Sequence, residues 1–166
     1  SDVYKRQVID IINHMKNFKS EIRFIEYMDV GESNKWDPSK VVSSESLLES
    51  INEHYSLKQM KTETSSTAKK WHIKDSNSSI GLISSITQPF CSSCNRARLS
   101  VDGKLFTCLF ASNGFDIKSV IRSDDYEEKL LEFFKKIWME RSDQYSQIRF
   151  SSKRDLPKVE MSYIGG

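Results

Sequence analysis

Three cysteines carry the most specific chemical signal in this chain. Cys91, Cys94 and Cys108 have the spacing C-x2-C-x13-C. A two-residue gap lets one tight loop direct two thiolates at a single metal, and a hairpin can bring the third thiolate from its far arm. Pro89 and the serines beside the first pair indicate a loop, which argues against cysteines packed as small apolar residues in a core strand. The spacing therefore predicts a metal site.

The number of protein ligands decides which metal fits such a site. Structural zinc is closed by four ligands. None of the histidines, His14, His54 and His72, has zinc-finger spacing, and His72 is the best candidate among them. A 4Fe–4S cluster held by three cysteines leaves one iron open to a substrate. The spacing favours the cluster and leaves zinc as the alternative.

Two arginines, Arg96 and Arg98, follow the cysteine pair closely. A guanidinium offers a planar fork of donors that suits phosphate oxygens. If this segment is a strand, Cys94, Arg96 and Arg98 share one face. The pattern predicts a polyphosphate site beside the metal, with two surface arginines that bind no ligand as the alternative.

The dipeptide Asp102-Gly103 predicts a hairpin between the second and third cysteines. A two-residue turn would place Cys108 opposite Ala97 and away from the arginine face. A three-residue loop pairs Ser100 with Lys104, and its last residue, Gly103, then takes the left-handed conformation. We therefore predict the three-residue loop, which directs Cys108 to the same face as Cys94.

The periodicity of apolar residues predicts the elements that must position this site. A strand that is apolar on both faces and a long helical region with an apolar packing stripe stand out, whereas Ser56–Ala68 is typical of a loop. We predict helices over Val8–Lys16, from Ser43 or Ser44 through Tyr55, and over Asp116–Arg141 with a break at Ser123, and strands over Glu21–Met28, Lys70–Lys74 and Ser79–Ile86.

Composition narrows the class of protein. The length of 166 residues suits one domain, or a small domain with part of another, and 37% apolar residues suffice for a core. The net charge of +2 is too small to indicate nucleic acid or a membrane as partner. We find no apolar run near the ~20 residues that span a bilayer and no secretory signal, so we expect a cytoplasmic protein.

Several motifs together resemble one known family. Phe90–Phe110, FCSSCNRARLSVDGKLFTCLF, resembles the C-terminal cluster motif of the GTP 3',8-cyclase family. Arg23–Gly31, RFIEYMDVG, resembles the last barrel strand of that family and the loop after it, where Trp36 matches a tryptophan. Met161–Gly166, MSYIGG, resembles the double-glycine C-terminus. The resemblance runs from about Val8 to the last residue.

The resemblance implies a role for each matched position. The three cysteines become the ligands of the second 4Fe–4S cluster of the enzyme, whose open iron contacts the guanine of GTP. The other implied roles are GTP contacts for Arg96, Ala97, Arg98 and Arg23, a place near S-adenosyl-L-methionine for Met28, and an active-site tail for Gly165 and Gly166.

The family's reaction opens molybdenum cofactor biosynthesis. An N-terminal cluster and S-adenosyl-L-methionine generate a radical that removes hydrogen from C3' of GTP, and the sugar then attacks C8 of the base. The resemblance implies a homodimer that hands its product, (8S)-3',8-cyclo-7,8-dihydroguanosine 5'-triphosphate, to cyclic pyranopterin monophosphate synthase. The radical-SAM signature C-x3-C-x2-C is absent from this sequence, so we expect this chain to be inactive without the rest of a parent enzyme.

The expected fold class is α+β. We expect residues 1–7 to be a non-native start, residues 8–42 to be the last helix, strand and loop of a truncated radical-SAM barrel, and residues 43–166 to be a small antiparallel-sheet-plus-helix domain for the cluster and GTP.

Two other functional classes stay open. One is a zinc-binding nucleic-acid or protein interaction module that uses Arg96, Arg98 and Lys104, although a basic stripe with stacking aromatics is missing. The other is a structural accessory domain with buried cysteines.

Overall fold

The structure is a computed structural model that describes residues 2–150 and 158–164. The chain divides into two compact units: one takes Ser1–Met28 and Asp37–Ser93, and the other takes Asp29–Trp36 and Cys94–Gly166. Helices and strands are mixed in the chain, and its strands form one mixed sheet and one antiparallel sheet. The fold class is therefore α+β as predicted, and the described residues form no closed barrel.

The first unit is a four-stranded sheet with two helices. Its strands lie in the order β1-β4-β3-β2, with β1 parallel to β4 and the other pairs antiparallel. Isoleucines and Leu82 from both helices and three of the strands form the core, where the burial of apolar surface supplies the main stabilisation. The elements are α1 (Asp2–Met15), β1 (Glu21–Ile25), α2 (Ser44–Asn52), β2 (Leu57–Gln59), β3 (Lys69–Ile73) and β4 (Ser79–Ile83), with short 3-10 turns at Pro38–Lys40 and Cys91–Ser93.

The sequence predicts most of this unit. The start of α2 is confirmed, because the Ser43 hydroxyl caps the helix by accepting from the Ser46 N–H at 3.1 Å. β2 lies in the segment predicted as a loop, since three residues with two exposed polar side chains show no readable alternation. β1 is shorter than predicted, and Ile25 is 55% exposed. The strand carries apolar residues on both faces as predicted, but they are not all buried in the described part of the chain.

The second unit holds a three-stranded antiparallel sheet in the order β5-β6-β7. Leu105, Ile117 and Ile137 form its core, and Phe133 packs against them. The elements are β5 (Arg98–Leu99), β6 (Lys104–Phe106), β7 (Phe115–Asp116), α3 (Lys118–Ile121), α4 (Tyr126–Met139) and α5 (Tyr145–Ile148).

The long helical region is divided where the sequence predicts a break. Ser123 donates its hydroxyl to the Val120 carbonyl at 2.8 Å and so ends α3, whereas α4 begins after Asp125. The predicted packing stripe is only partly buried: Ile137 is 7% exposed, but Leu131 is 55% exposed. The prediction that the whole stripe packs is therefore wrong within the described residues.

The hairpin has the predicted three-residue loop. Arg98 pairs with Phe106 and Leu99 with Leu105, and the Ser100 N–H donates to the Lys104 carbonyl at 2.9 Å. Gly103 has φ +77°, the left-handed conformation that such a loop requires. The ladder ends at Arg98 and Phe106, so it does not extend to Arg96 and Cys108.

Candidate metal and nucleotide site

The three cysteines are free thiols that are half-buried. Cys91 begins the 3-10 turn of the first unit, whereas Cys94 and Cys108 belong to the second. The Cys108 sulfur accepts a hydrogen bond from the Phe110 N–H at 3.4 Å. Across residues 2–150 and 158–164, no three His, Cys, Asp or Glu side chains are grouped so that they could hold a metal ion. Their assignment as cluster ligands therefore stays a prediction.

The surroundings of Cys94 favour the thiolate, the form in which cysteine binds metals. Arg96 donates from Nη2 to the Cys94 sulfur at 3.1 Å, and Arg141 donates from Nη1 to the Cys94 carbonyl at 2.7 Å. Burial raises the pKa of the Cys94 thiol, but hydrogen bonds from the Arg96 N–H, Arg141 and the Arg96 side chain outweigh it, so the pKa is lowered. This donor chemistry fits a thiolate-bound cluster. Arg141 was not predicted, because nothing local marks it as a neighbour of Cys94.

The arginines are placed differently from the prediction. Cys94–Ala97 precede the strand, so Cys94, Arg96 and Arg98 do not share a strand face. The chain turns at Cys108, where the Ala111 N–H donates to the Cys108 carbonyl at 3.1 Å, and no neighbouring strand continues opposite Arg96 within the described sheet. Arg96 folds back onto Cys94, Ala97 is exposed, and Arg98 begins β5 half-buried. Arg96 therefore lies beside Cys94 because its side chain folds back onto the sulfur, not because the two residues share a face of a strand.

Two further predicted site residues lie in or near β1: Arg23 within the strand and Met28 three residues after its end. The Arg23 side chain is 52% exposed and forms an ion pair with Glu21, which also pairs with Lys70 at 2.6 Å. The Lys70 hydrogen bond lowers the pKa of Glu21, with Arg23 acting in the same direction against burial. Met28 is half-buried beyond the end of the strand. The single carboxylate of Glu21 is shared by the two cations Arg23 and Lys70, so the group of three side chains has a net positive charge.

A buried glutamate, Glu26, ties the end of β1 to the segment that precedes the cysteine loop. Its carboxylate accepts from the N–H groups of Ser44, Ile86 and Thr87 at 2.7, 2.8 and 2.9 Å and from the Thr87 hydroxyl at 2.6 Å. Burial raises the pKa of Glu26, but these hydrogen bonds outweigh it and the pKa is lowered. The sequence analysis did not identify Glu26 as a buried residue, although an acidic residue inside a predicted apolar strand was a signal that could have done so.

A second buried carboxylate, Asp29, holds the loop after β1 in the second unit. Arg149 donates from Nε to Oδ1 at 2.8 Å, while the Tyr145 hydroxyl and the Lys158 ammonium donate to Oδ2 at 2.7 and 3.0 Å. The Arg149 guanidinium lies over the rings of Phe110 and Tyr145, at 5.1 and 5.4 Å from their centroids. We call these residues the Asp29 cluster. It fixes the residues that follow Met28, and the sequence alone did not reveal it.

The C-terminal segment 158–164 is held to the same loop and to the hairpin. Glu160 accepts from the N–H groups of Glu32 and Ser33 at 2.8 and 3.2 Å. A Cβ at Gly31, where φ is +69°, would collide with the Glu160 carboxylate. The Tyr163 hydroxyl donates to Asp102 in the hairpin loop at 2.7 Å. The segment is therefore anchored before the final residues, Gly165 and Gly166, which lie outside the described residues.

A cleft of about 1120 Å³ lies in the first unit, between α1, the end of β1 and the start of α2. Val8, Phe24 and Leu47 contribute apolar walls, and the serines at the start of α2 contribute polar ones. None of the predicted site residues lines this cleft. It is therefore not the predicted nucleotide site.

Comparison with protein families gives a match over most of the chain. The model of the family described as Molybdenum Cofactor Synthesis C matches residues 20–147. The matched part takes in every strand of both sheets, the three cysteines and Arg141.

In the described part of the chain no helix has both the length and the apolar character needed to cross a membrane.

Curated relatives of this chain are named GTP 3',8-cyclase, which agrees with the family match. A GTP 3',8-cyclase of Staphylococcus epidermidis (strain ATCC 35984) is 43% identical over 169 residues, which cover 99% of this chain and 50% of that protein. A GTP 3',8-cyclase of Staphylococcus aureus (strain JH9) is 44% identical over 165 residues, which cover 96% of this chain and 48% of that protein. The chain spans about half the length of the curated relatives it matches.

Proposed function

The chain belongs to the Molybdenum Cofactor Synthesis C family, and we propose that it is the C-terminal part of a GTP 3',8-cyclase that binds the second 4Fe–4S cluster and GTP. The observation that carries the proposal is Cys94 of the C-x2-C motif, whose thiol accepts a hydrogen bond from Arg96 and whose carbonyl accepts one from Arg141. A cationic environment suits both a thiolate ligand and a polyphosphate.

Cys91, Cys94 and Cys108 would hold this cluster. When bound, it supplies an open iron that can accept a lone pair from the purine of the substrate. Three protein thiolates, rather than four, leave that coordination position available.

The arginines would bind and orient the triphosphate of GTP. Arg96 and Arg98 stand two and four residues after Cys94, so their guanidinium groups follow the ligand loop directly. Each can donate two hydrogen bonds to phosphate oxygens and offset their negative charge. Arg23, on β1, would supply a third cation, and Ala97 would contact GTP between the two arginines. The base would thereby be held toward the cluster ligands.

The remaining roles concern the rest of a parent enzyme. Met28 would contact S-adenosyl-L-methionine, and Gly165 with Gly166 would enter the active site as a tail without side chains. α1 and β1 would be the last helix and strand of a radical-SAM barrel. Among the described residues β1 is the outer strand of its sheet, which supports this assignment because a further strand could pair with its other edge. The parent enzyme would act as a homodimer and pass its product to cyclic pyranopterin monophosphate synthase.

Anaerobic reconstitution with iron and sulfide tests the proposal. The chain should take up about four iron and about four sulfide, one cluster, and turn brown. Cys91→Ser, Cys94→Ser and Cys108→Ser should each lose most of this iron. Ser92→Ala, an exposed position in the same turn, is the matched control and should load fully. Stoichiometric zinc that resists exchange for iron would contradict the proposal and favour a zinc-binding interaction module.

A further inference from the structure

We propose that Arg141 is a positioning residue for the cluster ligand Cys94. It would fix the peptide group of Cys94 and, through it, the direction in which the thiolate points. The inference rests on the proposed function and adds a residue that lies 47 positions from the ligand in sequence. Arg141 would not touch GTP or the iron.

Arg141 is itself held rigidly in the second unit. It follows α4 closely, and its side chain is 10% exposed. Nε donates to Asp143 Oδ2 at 3.1 Å, and the guanidinium lies 4.8 Å from the centroid of the Trp138 ring. A carboxylate on one side and an aromatic face on another leave the guanidinium little rotational freedom. Little conformational entropy is therefore lost when it binds a third partner.

That third partner is the Cys94 carbonyl, at 2.7 Å from Nη1. Cys94 lies outside the helices and strands, between the 3-10 turn and β5, so a sheet ladder does not fix its backbone. A charge-assisted hydrogen bond to this carbonyl orients the peptide plane and hence the Cα–Cβ bond of Cys94. The same guanidinium places a buried positive charge beside the ligand. Partners of this kind, one step beyond the ligands, commonly tune both the affinity and the electronic state of a metal site.

A simpler interpretation is that Arg141 only stabilises the C-terminal end of α4, as cations often do at helix C-termini. Its hydrogen bonds argue against this, because they go to Asp143 and Cys94 rather than to the last carbonyls of α4. The two interpretations also differ in outcome. An end-of-helix role changes stability alone, whereas a positioning role changes the cluster.

The test compares variants of the full chain after anaerobic reconstitution. Arg141→Ala should lose iron to a chelator about 10- to 100-fold faster than the parent chain. The EPR spectrum of its reduced cluster should also shift. Arg141→Lys keeps the charge and one donor, so it should restore part of the retention. Asp143→Asn, which loosens Arg141 without removing it, should have a smaller effect. The exposed Arg122, changed to alanine, is the matched control.

Thermal unfolding of the metal-free variants separates stability from positioning. If Arg141→Ala does not fold, Arg141→Lys and Asp143→Asn carry the test, because both leave the buried core intact. Unchanged iron loss and an unchanged EPR spectrum in the folded variants would overturn the inference while leaving the proposed function in place. A parent chain that takes up no iron would instead overturn the proposed function, and the inference with it.

Discussion

Removal of the Asp29 carboxylate should destabilise the second unit strongly. The side chains of Asp29 and Arg149 are 2% and 3% exposed, so their ion pair is shielded from water. In Asp29→Ala the buried guanidinium of Arg149 loses this carboxylate, and the Tyr145 hydroxyl loses this hydrogen bond. Breaking a buried pair by deleting one partner costs about 3–5 kcal/mol of unfolding free energy. We expect a loss in this range, and a smaller one for Asp29→Asn, which keeps an acceptor oxygen for Arg149.

The matched control is Asp125→Asn. Asp125 pairs with Lys129 at 3.6 Å, but its side chain is 74% exposed. Exposed pairs of this spacing contribute about 0.3–0.5 kcal/mol. The change from aspartate to asparagine, which matches Asp29→Asn, should therefore have an effect close to the error of the measurement at this position.

Urea denaturation followed by tryptophan fluorescence measures the difference. Trp36 and Trp138 lie in the second unit and Trp71 in the first. A Trp71→Phe background confines the signal to the second unit. An unfolding free energy for Asp29→Ala within ~0.5 kcal/mol of the parent, the usual range for surface substitutions, would refute the reasoning that this cluster holds the second unit together.

The acid dependence of stability gives a second readout for the same cluster. Burial raises the pKa of Asp29, but Tyr145, Lys158 and Arg149 outweigh it, so the folded-state pKa lies below the ordinary value of 3.8. Stabilisation by this group is thus complete above that value and is lost as the pH falls through the folded-state pKa. Asp29→Asn should lack this part of the acid destabilisation. Parallel stability curves for the parent and Asp29→Asn below pH 4 would contradict the assignment.

Three further changes test the site and its anchors. Arg96→Ala and Arg98→Ala should each weaken GTP binding to the reconstituted protein by ~1.5–3 kcal/mol in calorimetry, and affinities within twofold of the parent would contradict the phosphate assignment. Deletion of Gly165–Gly166 from a complete parent enzyme should abolish cyclisation and spare the iron content, whereas full activity would exclude a functional tail. Glu160→Gln should speed hydrogen exchange at the two loop N–H groups that its carboxylate binds, and unchanged exchange would show that this anchor is dispensable.

Local chemistry explains which features the sequence predicts well. The cap of α2 depends on Ser43 and a backbone group three residues on. The hairpin loop depends on Gly103, which tolerates the left-handed conformation. Each of these features is decided within a few residues, so a single sequence contains the information. The cysteine spacing is also local, and the metal site that it indicates stays a prediction.

Long-range contacts explain what the sequence does not predict. Arg141 meets Cys94 across 47 positions, and Arg149 meets Asp29 across 120. The type and spacing of neighbouring residues carry no information about such pairs. The failed prediction of a strand through Arg96 has a similar cause, because a strand persists only as far as its partner, and the partner chain turns away at Cys108.

The EPR spectrum of the reduced, reconstituted chain with and without GTP tests the central claim most directly. If this chain holds a cluster with an open iron beside the GTP site, GTP should change the spectrum and saturate the change. Arg96→Ala should then move the saturation to higher GTP concentration. A cluster whose spectrum is the same at saturating GTP, in a protein that calorimetry shows to bind GTP, would contradict the account.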